Sequence, residues 1–158
     1  MTVFHGSNSD FDTVSLDFAK DRRDFGRGFY TTTIKEQAES WAESICKRYT
    51  TNTAYLYEFE FSFTGLTVKT FDEISKEWLE FIIANRIKGG TRHDYDVVMG
   101  PVANDRTINT LNLYFDGEYT LEEAMKRLSY MQANNQIVIH TEKALDNLTF
   151  TRRTEWKL

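Results

Sequence analysis

A run of alternating aromatic residues constrains this chain most. Between Ala54 and Phe63 every second side chain is an aromatic ring: Tyr55, Tyr57, Phe59, Phe61 and Phe63. A period of two places these rings on one face of a long β-strand. We predict that the face is core. A platform for stacking nucleic-acid bases needs basic neighbours, whereas Glu58 and Glu60 lie in this strand.

Length and composition indicate one domain. The 158 residues contain a single proline, Pro101, and eight scattered glycines, without a linker, repeat or low-complexity segment. The net charge is −5, which argues mildly against a nucleic-acid partner because such proteins carry basic stripes. The short clusters Arg22-Arg23 with Arg27, and Arg152-Arg153, are predicted to be solvated, with contact to a pyrophosphate as the alternative.

The remaining composition points to a cytoplasmic protein without a metal. The one cysteine, Cys46, permits no disulfide framework within the chain, and no Cys/His spacing suits a metal. The first ten residues lack the pattern of a signal peptide, and no apolar run is long enough for a membrane span. His93 and His140 belong to no motif and are predicted to be structural or surface residues.

Periodicity and turn signals predict an α+β fold of about six strands and three or four helices. Strands are predicted at 2–5, 29–33, 54–63, 66–71, 96–100, 136–140 and 148–156, and helices at 34–48, from 72 onward for about fourteen residues, 105–114 and 120–131. The order does not have the regular alternation of a Rossmann fold. Predicted helix caps are Thr33 with Glu36, Asp72, Thr120 with Glu123, and Thr141.

The helix predicted over 34–48 is amphipathic. Its spacing indicates a buried face of Ile34, Ala38, Trp41, Ala42 and Ile45. The helix from Asp72 is predicted to bury Ile74, Trp78, Phe81 and Ile82 and to end near Gly89-Gly90.

Two short motifs combine residue types that suit a polar ligand. The first is His5-Gly6-Ser7, and the second is the run from Asp24 to Thr32, DFGRGFYTT. A histidine at the end of a strand offers ring nitrogens to a ligand hydroxyl, and a glycine exposes its backbone at close range. A tyrosine after two glycines can lay its ring against an aromatic ligand. Neither motif is a phosphate loop, because no Gly-Lys-Ser/Thr ending follows.

These motifs resemble the catalytic domain of the poly(ADP-ribose) polymerases. His5-Gly6-Ser7 looks like its opening HGS, Phe25 to Tyr30 is similar to its FGKGIY run, and Asn135 to His140 is similar to a late strand of the form Asn-Glu-Tyr-Ile-Val-Tyr. The resemblance implies the ADP-ribosyltransferase superfamily, which also includes diphtheria toxin. It implies a split two-sheet β core with peripheral helices and with NAD in the cleft between the sheets.

The chain also resembles, over nearly its whole length, a bacterial family of unknown function. The patterns DFGxGFYxTT and GPVANDxxxxT characterise it, and the second occurs here over Gly100 to Thr110. That family is grouped with the ADP-ribosyltransferases, whose small bacterial members include toxins held inactive by a partner. The resemblance therefore implies NAD as substrate, a macromolecular acceptor, in the first place a protein, and an antitoxin as partner.

The resemblance also implies roles for individual residues. His5 would bond the adenosine ribose, the Gly6 backbone would pair with the nicotinamide carboxamide, and Tyr30 would stack on the nicotinamide ring. A residue of the following helix would close the pocket, and the candidates are Gln37, Ser40 and Trp41. Ser7, Gly28 and Phe29 complete the predicted cofactor site, and Arg27, Asn104 and Asp105 are accessory candidates.

Gln136 stands where the resembled family has its catalytic glutamate, and with His5 and Tyr30 it forms the predicted catalytic set. A neutral amide can hold the ribose hydroxyl, but it gives a developing cation less electrostatic help. We therefore expect transfer of single ADP-ribose units; the alternatives are NAD binding without catalysis and NAD hydrolysis. Gln136→Glu is expected to preserve or raise NAD cleavage. Asp105 and Glu142 are the carboxylates that could supply the missing charge.

Overall fold

The computed structural model describes residues 1–128 and 134–158, with only the backbone of Asp105. Within these residues the strands are β1 (Thr2–Ser7), β2 (Phe29–Thr31), β3 (Thr53–Phe61), β4 (Val68–Thr70), β5 (Val97–Gly100), β6 (Gln136–Ile139) and β7 (Leu148–Lys157). The helices are α1 (Lys35–Tyr49), α2 (Lys76–Lys88), α3 (Asp105–Phe115), α4 (Leu121–Leu128) and α5 (Glu142–Leu145), with a 3-10 turn at Leu16–Phe18.

The strands form two sheets. The first has the order β1-β3-β7 and is antiparallel throughout. The second has the order β2-β6-β5-β4, in which only the β4–β5 pair is parallel. The prediction of a mixed fold with two sheets is confirmed. The described residues contain seven strands, one in each predicted strand range, and five α-helices, where three or four were predicted.

The predicted aromatic face of β3 forms the core between the sheets. Tyr57, Phe59 and Phe61 are buried there against Ile137 and Ile139 of the second sheet. On the opposite face of β3, Ala54 and Leu56 are buried on the side that α1 covers. Because both faces of β3 are covered, the alternation of residue types fixes which side of β3 faces which layer.

A second core lies on the outer face of the second sheet. There α2, α3 and α4 pack over the strands, and the largest buried side chain is Trp78, whose indole N–H donates to the carbonyl of Pro101 at 3.1 Å. The predicted buried face of α2 is confirmed for Trp78 and Ile82, whereas Ile74 and Phe81 are only partly buried. As predicted, α2 ends at Gly89.

The predicted start of α1 is wrong. Its N-cap is Ile34, which makes no side-chain capping bond, and the predicted cap Thr33 is exposed. Asn135, next to β6, explains the difference, because its Oδ1 accepts from the backbone N–H of Thr33 at 3.0 Å. The Asn135 amide also donates to the Thr33 hydroxyl, so this hydroxyl is engaged outside the helix and the predicted capping box does not form. Trp41, predicted to be buried, is 47 % exposed, and the buried residues of α1 are Ala38, Ala42 and Cys46.

Of the predicted N-caps of the other helices, that of α2 is wrong and those of α4 and α5 are confirmed. Ser75, not Asp72, caps α2, because the Ser75 hydroxyl accepts from Trp78 N–H at 3.2 Å. The capping box of α4 is confirmed: Thr120 N–H donates to Glu123 at 3.0 Å, and Glu123 N–H donates to the Thr120 hydroxyl at 3.2 Å. Thr141 caps α5 as predicted. The predicted C-terminal turn of α4, to Met131, lies outside the described residues.

No helix among residues 1–128 and 134–158 has the length and apolar character needed to cross a membrane.

Candidate functional site

The two sheets meet where β1 approaches β2. A single bridge joins these strands: Phe4 N–H donates to Thr32 O at 2.7 Å, and Thr32 N–H donates to Phe4 O at 2.9 Å. In a continuing antiparallel ladder, the next bonded pair would be Gly6 with Tyr30. That pair does not form. The His5 imidazole occupies the position instead, with Nδ1 2.7 Å from the carbonyl oxygen of Tyr30. We call the opening beyond the bridge the β1–β2 gap.

Unpaired backbone groups line the β1–β2 gap. Because bonding directions alternate along a strand, the N–H and C=O of Gly6 point toward β2 as those of Phe4 do. The N–H of Tyr30 points back toward β1 for the same reason. Within the described part of the chain, these three groups have no hydrogen-bond partner. The gap therefore offers two donors and one acceptor to a planar polar group.

Helix α1 covers one side of the β1–β2 gap at very close range. A Cβ atom on Gly6 would lie 2.0 Å from the Ala38 carbonyl oxygen and 3.0 Å from the Ala42 nitrogen. Only a glycine permits this approach of helix backbone to strand. Trp41 lies on α1 between these two alanines in sequence, and its side chain is exposed.

The predicted catalytic residues lie on two faces of the joined strands. Phe4 and Thr32 are directly opposite, so Gly6, Tyr30 and Gln136 share the face that α1 and the second core cover. His5 lies on the inner face, with its ring centroid 4.4 Å from that of Phe29. His5 therefore approaches the β1–β2 gap from the side opposite to Tyr30 and Gln136.

The His5 ring has one nitrogen engaged and one free. Burial lowers the pKa of His5, so the neutral imidazole prevails at neutral pH. Nδ1–H then donates to Tyr30 O, which leaves the lone pair of Nε2 as an acceptor. Nε2 has no partner among the described residues and does not belong to their buried unpaired atoms. It can thus accept from a ligand hydroxyl, the role that the resemblance implies.

The Tyr30 hydroxyl holds the glycine loop. It donates to Gly26 O at 2.7 Å and accepts from Phe25 N–H at 3.1 Å. Burial raises the pKa of Tyr30, with the nearby Asp24 carboxylate acting in the same direction. The hydroxyl is therefore a neutral, fully engaged group, and only the ring face of Tyr30 is left for a ligand.

A buried polar network fixes Gln136. Its Nε2 donates to Asp24 Oδ2 at 2.8 Å and to Pro101 O at 3.1 Å, and the side chain is only 5 % exposed. Asp24, 3 % exposed, also accepts from Arg86 Nε at 2.5 Å and from Ala103 N–H at 2.8 Å. With both amide protons engaged, Gln136 can contribute only its Oε1, which accepts hydrogen bonds.

Sequence reasoning missed the role of Asp24 and Arg86. Asp24 is the first residue of the DFGRGFY run, and this position was the one sequence feature that could have pointed to it. Nothing local in the sequence links Asp24 to Gln136, which lies 112 positions away. The network also removes the basis for expecting Gln136→Glu to preserve cleavage. A glutamate there would point carboxylate oxygen at the Asp24 carboxylate and the Pro101 carbonyl.

The alternative carboxylates are placed differently. Glu142 begins α5, beyond the end of β6 opposite to Gln136, and lines a groove of about 340 Å³ with Phe11, Leu148 and Phe150. Asp105 begins α3, but its side chain lies outside the described atoms. Asp24 is therefore the carboxylate that contacts Gln136. No cluster of three His, Cys, Asp or Glu side chains suited to a metal occurs among the described residues.

Most of the other predicted site residues make structural contacts. The Ser7 hydroxyl bonds the backbone of Ser9 in a local turn. The Gln37 amide bonds both backbone groups of Asn135, at 2.8 and 3.2 Å. A Cβ on Gly28 would lie 2.6 Å from Val138 Cγ1, so Gly28 packs against β6 and is closed to a ligand. Arg27 is exposed, as is Asn104, which caps α3.

Two histidines outside the motifs hold the glycine loop in place. His93 Nε2 lies 2.7 Å from Phe25 O, and His140 Nδ1 lies 2.6 Å from Arg27 O. Their ring centroids are 4.4 Å apart. Burial, and to a smaller extent the neighbouring His93, lowers the pKa of His140 to about 4. The structural role predicted for these histidines is confirmed, although their joint action on the second motif was not foreseen.

The chain belongs to a family of proteins of unknown function, DUF3990, whose sequence model matches residues 1–150. The match includes every residue of the β1–β2 gap and of the Asp24–Gln136 network. No curated protein and no solved structure matches the chain.

Proposed function

We propose that this protein is an ADP-ribosyltransferase that binds NAD at the β1–β2 gap. It transfers one ADP-ribose unit to a macromolecular acceptor, which we expect to be a protein, and releases nicotinamide. The observation that carries the proposal is the break in the β1–β2 ladder. It leaves the N–H and C=O of Gly6 unpaired beside a tyrosine ring.

A carboxamide is the complement of these two backbone groups. Its oxygen accepts from Gly6 N–H and its NH₂ donates to Gly6 C=O, as a neighbouring strand would. The attached pyridinium ring would lie against Tyr30, and the exposed Trp41 of α1 is the candidate to close the pocket. Such ring contacts contribute about 1 kcal/mol beyond the area they bury. The gap thus accounts for recognition of the nicotinamide end of NAD.

The reaction breaks one glycosidic bond and forms another. The bond from ribose C1′ to the pyridinium nitrogen breaks, its electron pair leaves with neutral nicotinamide, and positive charge develops on the ribose. The acceptor nucleophile then bonds C1′ and loses its proton to solvent. Gln136 would accept from a ribose hydroxyl through Oε1, since both of its amide protons are held by Asp24 and Pro101.

The electrostatics of the network favour modest catalysis. Asp24 lies directly behind the Gln136 amide, but Arg86 pairs with it at 2.5 Å and offsets most of its charge. The site therefore offers a developing cation an oriented dipole and not a free carboxylate. The same observation supports a second candidate function, an NAD-binding module without turnover. A third candidate, NAD hydrolysis, differs only in that water is the acceptor.

The decisive experiment incubates the protein with radiolabelled NAD and cell lysate and scores labelled protein, labelled nucleic acid and free ADP-ribose separately. We expect labelled protein. Gln136→Ala should lower turnover about a hundredfold to a thousandfold with little loss of NAD affinity, the mark of a contact made in the transition state. Asn112→Ala, an exposed amide on α3, is the matched control and should leave turnover unchanged.

The outcomes separate the three candidates. Free ADP-ribose without labelled macromolecule would identify a glycohydrolase. NAD-dependent thermal stabilisation without turnover would identify a binding module. Full activity of Gln136→Ala would remove Gln136 from the site. Absence of any stabilisation by NAD, nicotinamide or another dinucleotide would overturn the assignment as a whole.

A further inference from the structure

Strand β7 has a free edge. β7 ends the order β1-β3-β7, so one side of this ten-residue strand has no partner strand among the described residues. Seven of the eight side chains from Thr149 to Trp156 are exposed. An edge of this length is a template for pairing with another strand.

The backbone hydrogen bonds between β3 and β7 show which β7 residues point toward β3 and which point outward. Ser62 N–H donates to Asn147 O, and Leu158 N–H donates to Asn52 O, so even-numbered residues of β3 and its flanks face β7. With Leu56 opposite Thr154, the residues Arg152, Thr154 and Trp156 bond β3. The N–H and C=O groups of Arg153, Glu155 and Lys157 therefore point outward and have no backbone partner within the described chain.

We propose that β7 pairs antiparallel with β7 of a second copy of this chain, about a twofold axis at Thr154. Such an axis places Arg153 opposite Glu155 of the other copy, and the pair occurs twice. Both residues have outward-pointing backbone groups, so each pair exchanges two N–H···O bonds. The charges that face each other are opposite in sign.

The side chains fit this register on both faces. Arg153 and Glu155 lie on the face of Tyr55 and Tyr57, where Arg153 already contacts Asp10 at 2.5 Å. On the other face, Arg152 would lie opposite Trp156 of the other copy, a cation–π pair. Since Arg153 also contacts Glu155 within the monomer, dimerisation joins two existing ion pairs into one alternating network.

Neighbouring registers lack this complementarity. An axis at Arg153 sets two arginines opposite each other, and an axis at Glu155 sets two glutamates opposite each other and pairs Arg153 with Lys157. Like charges directly opposite destabilise a strand pair. The β-bulge between Glu58 and Phe59 interrupts the regular register of β7 N-terminal to Arg152. The charge pattern thus selects the axis at Thr154.

The interface is one strand wide, so we expect a weak dimer with a dissociation constant on the order of 100 µM. Sedimentation equilibrium of the full chain over a concentration series measures it. Glu155→Arg should raise the dissociation constant at least tenfold, and so should Arg153→Glu. The double variant Arg153→Glu/Glu155→Arg should restore the value to within about threefold, because every opposed pair is again opposite in sign. Glu122→Arg, the same charge change at an exposed site on α4, should have no effect.

Amide hydrogen exchange gives a second readout. The amides of Arg153, Glu155 and Lys157 should exchange rapidly at low protein concentration and become protected at high concentration, whereas those of Thr154 and Trp156 should be protected throughout. A chain that stays monomeric to millimolar concentration would overturn the proposal, and the exposed charges would then serve to keep the edge unpaired. A dimer that survives Glu155→Arg, or that the double variant does not restore, would equally overturn it.

Discussion

Strand β2 has two edges that differ in kind. Toward β6 its ladder is continuous, from Phe29 opposite Ile139 to Thr31 opposite Ile137. Gly28 just before it approaches Val138 so closely that a Cβ would overlap. Toward β1, the ladder has one bridge, between Thr32 and Phe4, and does not continue beyond it. There the His5 imidazole forms a hydrogen bond with the carbonyl oxygen of Tyr30.

The comparison shows that the two glycine motifs have different physical roles. Gly28 lets two strands close, and its surroundings have no room for a ligand. Gly6 lets α1 cover β1 while its own N–H and C=O stay unpaired. Unpaired backbone groups are costly unless something bonds them. The edge of β2 toward β1, the open edge, is therefore where a ligand gains most binding free energy. The edge toward β6, the closed edge, is the rigid frame that positions the ligand.

The largest effect should come from placing a side chain at Gly6, between β1 and α1. Gly6→Ala places a Cβ 2.0 Å from the Ala38 carbonyl oxygen, so α1 must move away from β1. We expect a loss of more than about 4 kcal/mol of unfolding free energy, measured by chemical denaturation. Ser7→Ala, the next residue, is the control and should lose less than about 1 kcal/mol. A Gly6→Ala protein of native stability would show that α1 does not pack against β1 as described.

The next largest effect concerns the buried network. Gln136→Glu opposes two carboxylates and should cost about 3 kcal/mol at neutral pH. Asp24 raises the folded-state pKa of the new glutamate above its unfolded value, so the protonated form carries stability that is lost as pH rises. Relative to the native protein, the variant should thus be less destabilised at pH 5 than at pH 8 in thermal melts. The uncharged variant Gln136→Met should show no such pH dependence; a pH-independent Gln136→Glu would contradict the described contact.

The closed edge should be sensitive to acid. The pKa of His140 is lowered to about 4 from its usual 6.5. As pH falls, the unfolded chain takes up this proton first, so stability should be lost between pH 6.5 and 4. We expect a loss of about 2 to 3 kcal/mol over that window. His140→Asn, which keeps a donor for Arg27 O, should flatten the dependence in denaturation curves at each pH, and an unchanged slope would assign the acid sensitivity elsewhere.

A smaller effect should follow from removing the Asn135 amide, which holds Thr32 and Thr33 just before α1. Asn135→Ala loses the bonds of its side chain to Thr32 Oγ1 at 2.9 Å, Thr33 N at 3.0 Å and Thr33 Oγ1 at 2.7 Å. We expect a loss of about 1 to 2 kcal/mol and faster hydrogen exchange in the first turn of α1. The exposed Asn109 provides the control Asn109→Ala. Unchanged exchange in that turn would show that the helix start does not depend on Asn135.

The sequence predicted what depends on local pattern. The period of two in β3, the glycine after α2 and the capping box at Thr120 each follow from residues a few positions apart. The features it did not predict depend on distant partners: Asn135 supplies the bonds at Thr33 from 102 positions away, and Asp24 bonds Gln136 from 112 positions away. The motif residues His5, Gly6 and Tyr30 were predicted to act together. That His5 opens the ladder by taking the Tyr30 carbonyl was visible only in three dimensions.

The most direct test of the open edge as the nicotinamide site is an NMR titration of the ¹⁵N-labelled protein with NAD and with nicotinamide alone. If the carboxamide pairs with Gly6, the amide resonances of Gly6 and Tyr30 should shift most with both ligands, and the Gly28 amide on the closed edge should shift little. Saturable binding that leaves the Gly6 and Tyr30 resonances unmoved, or no binding at millimolar ligand, would contradict the account.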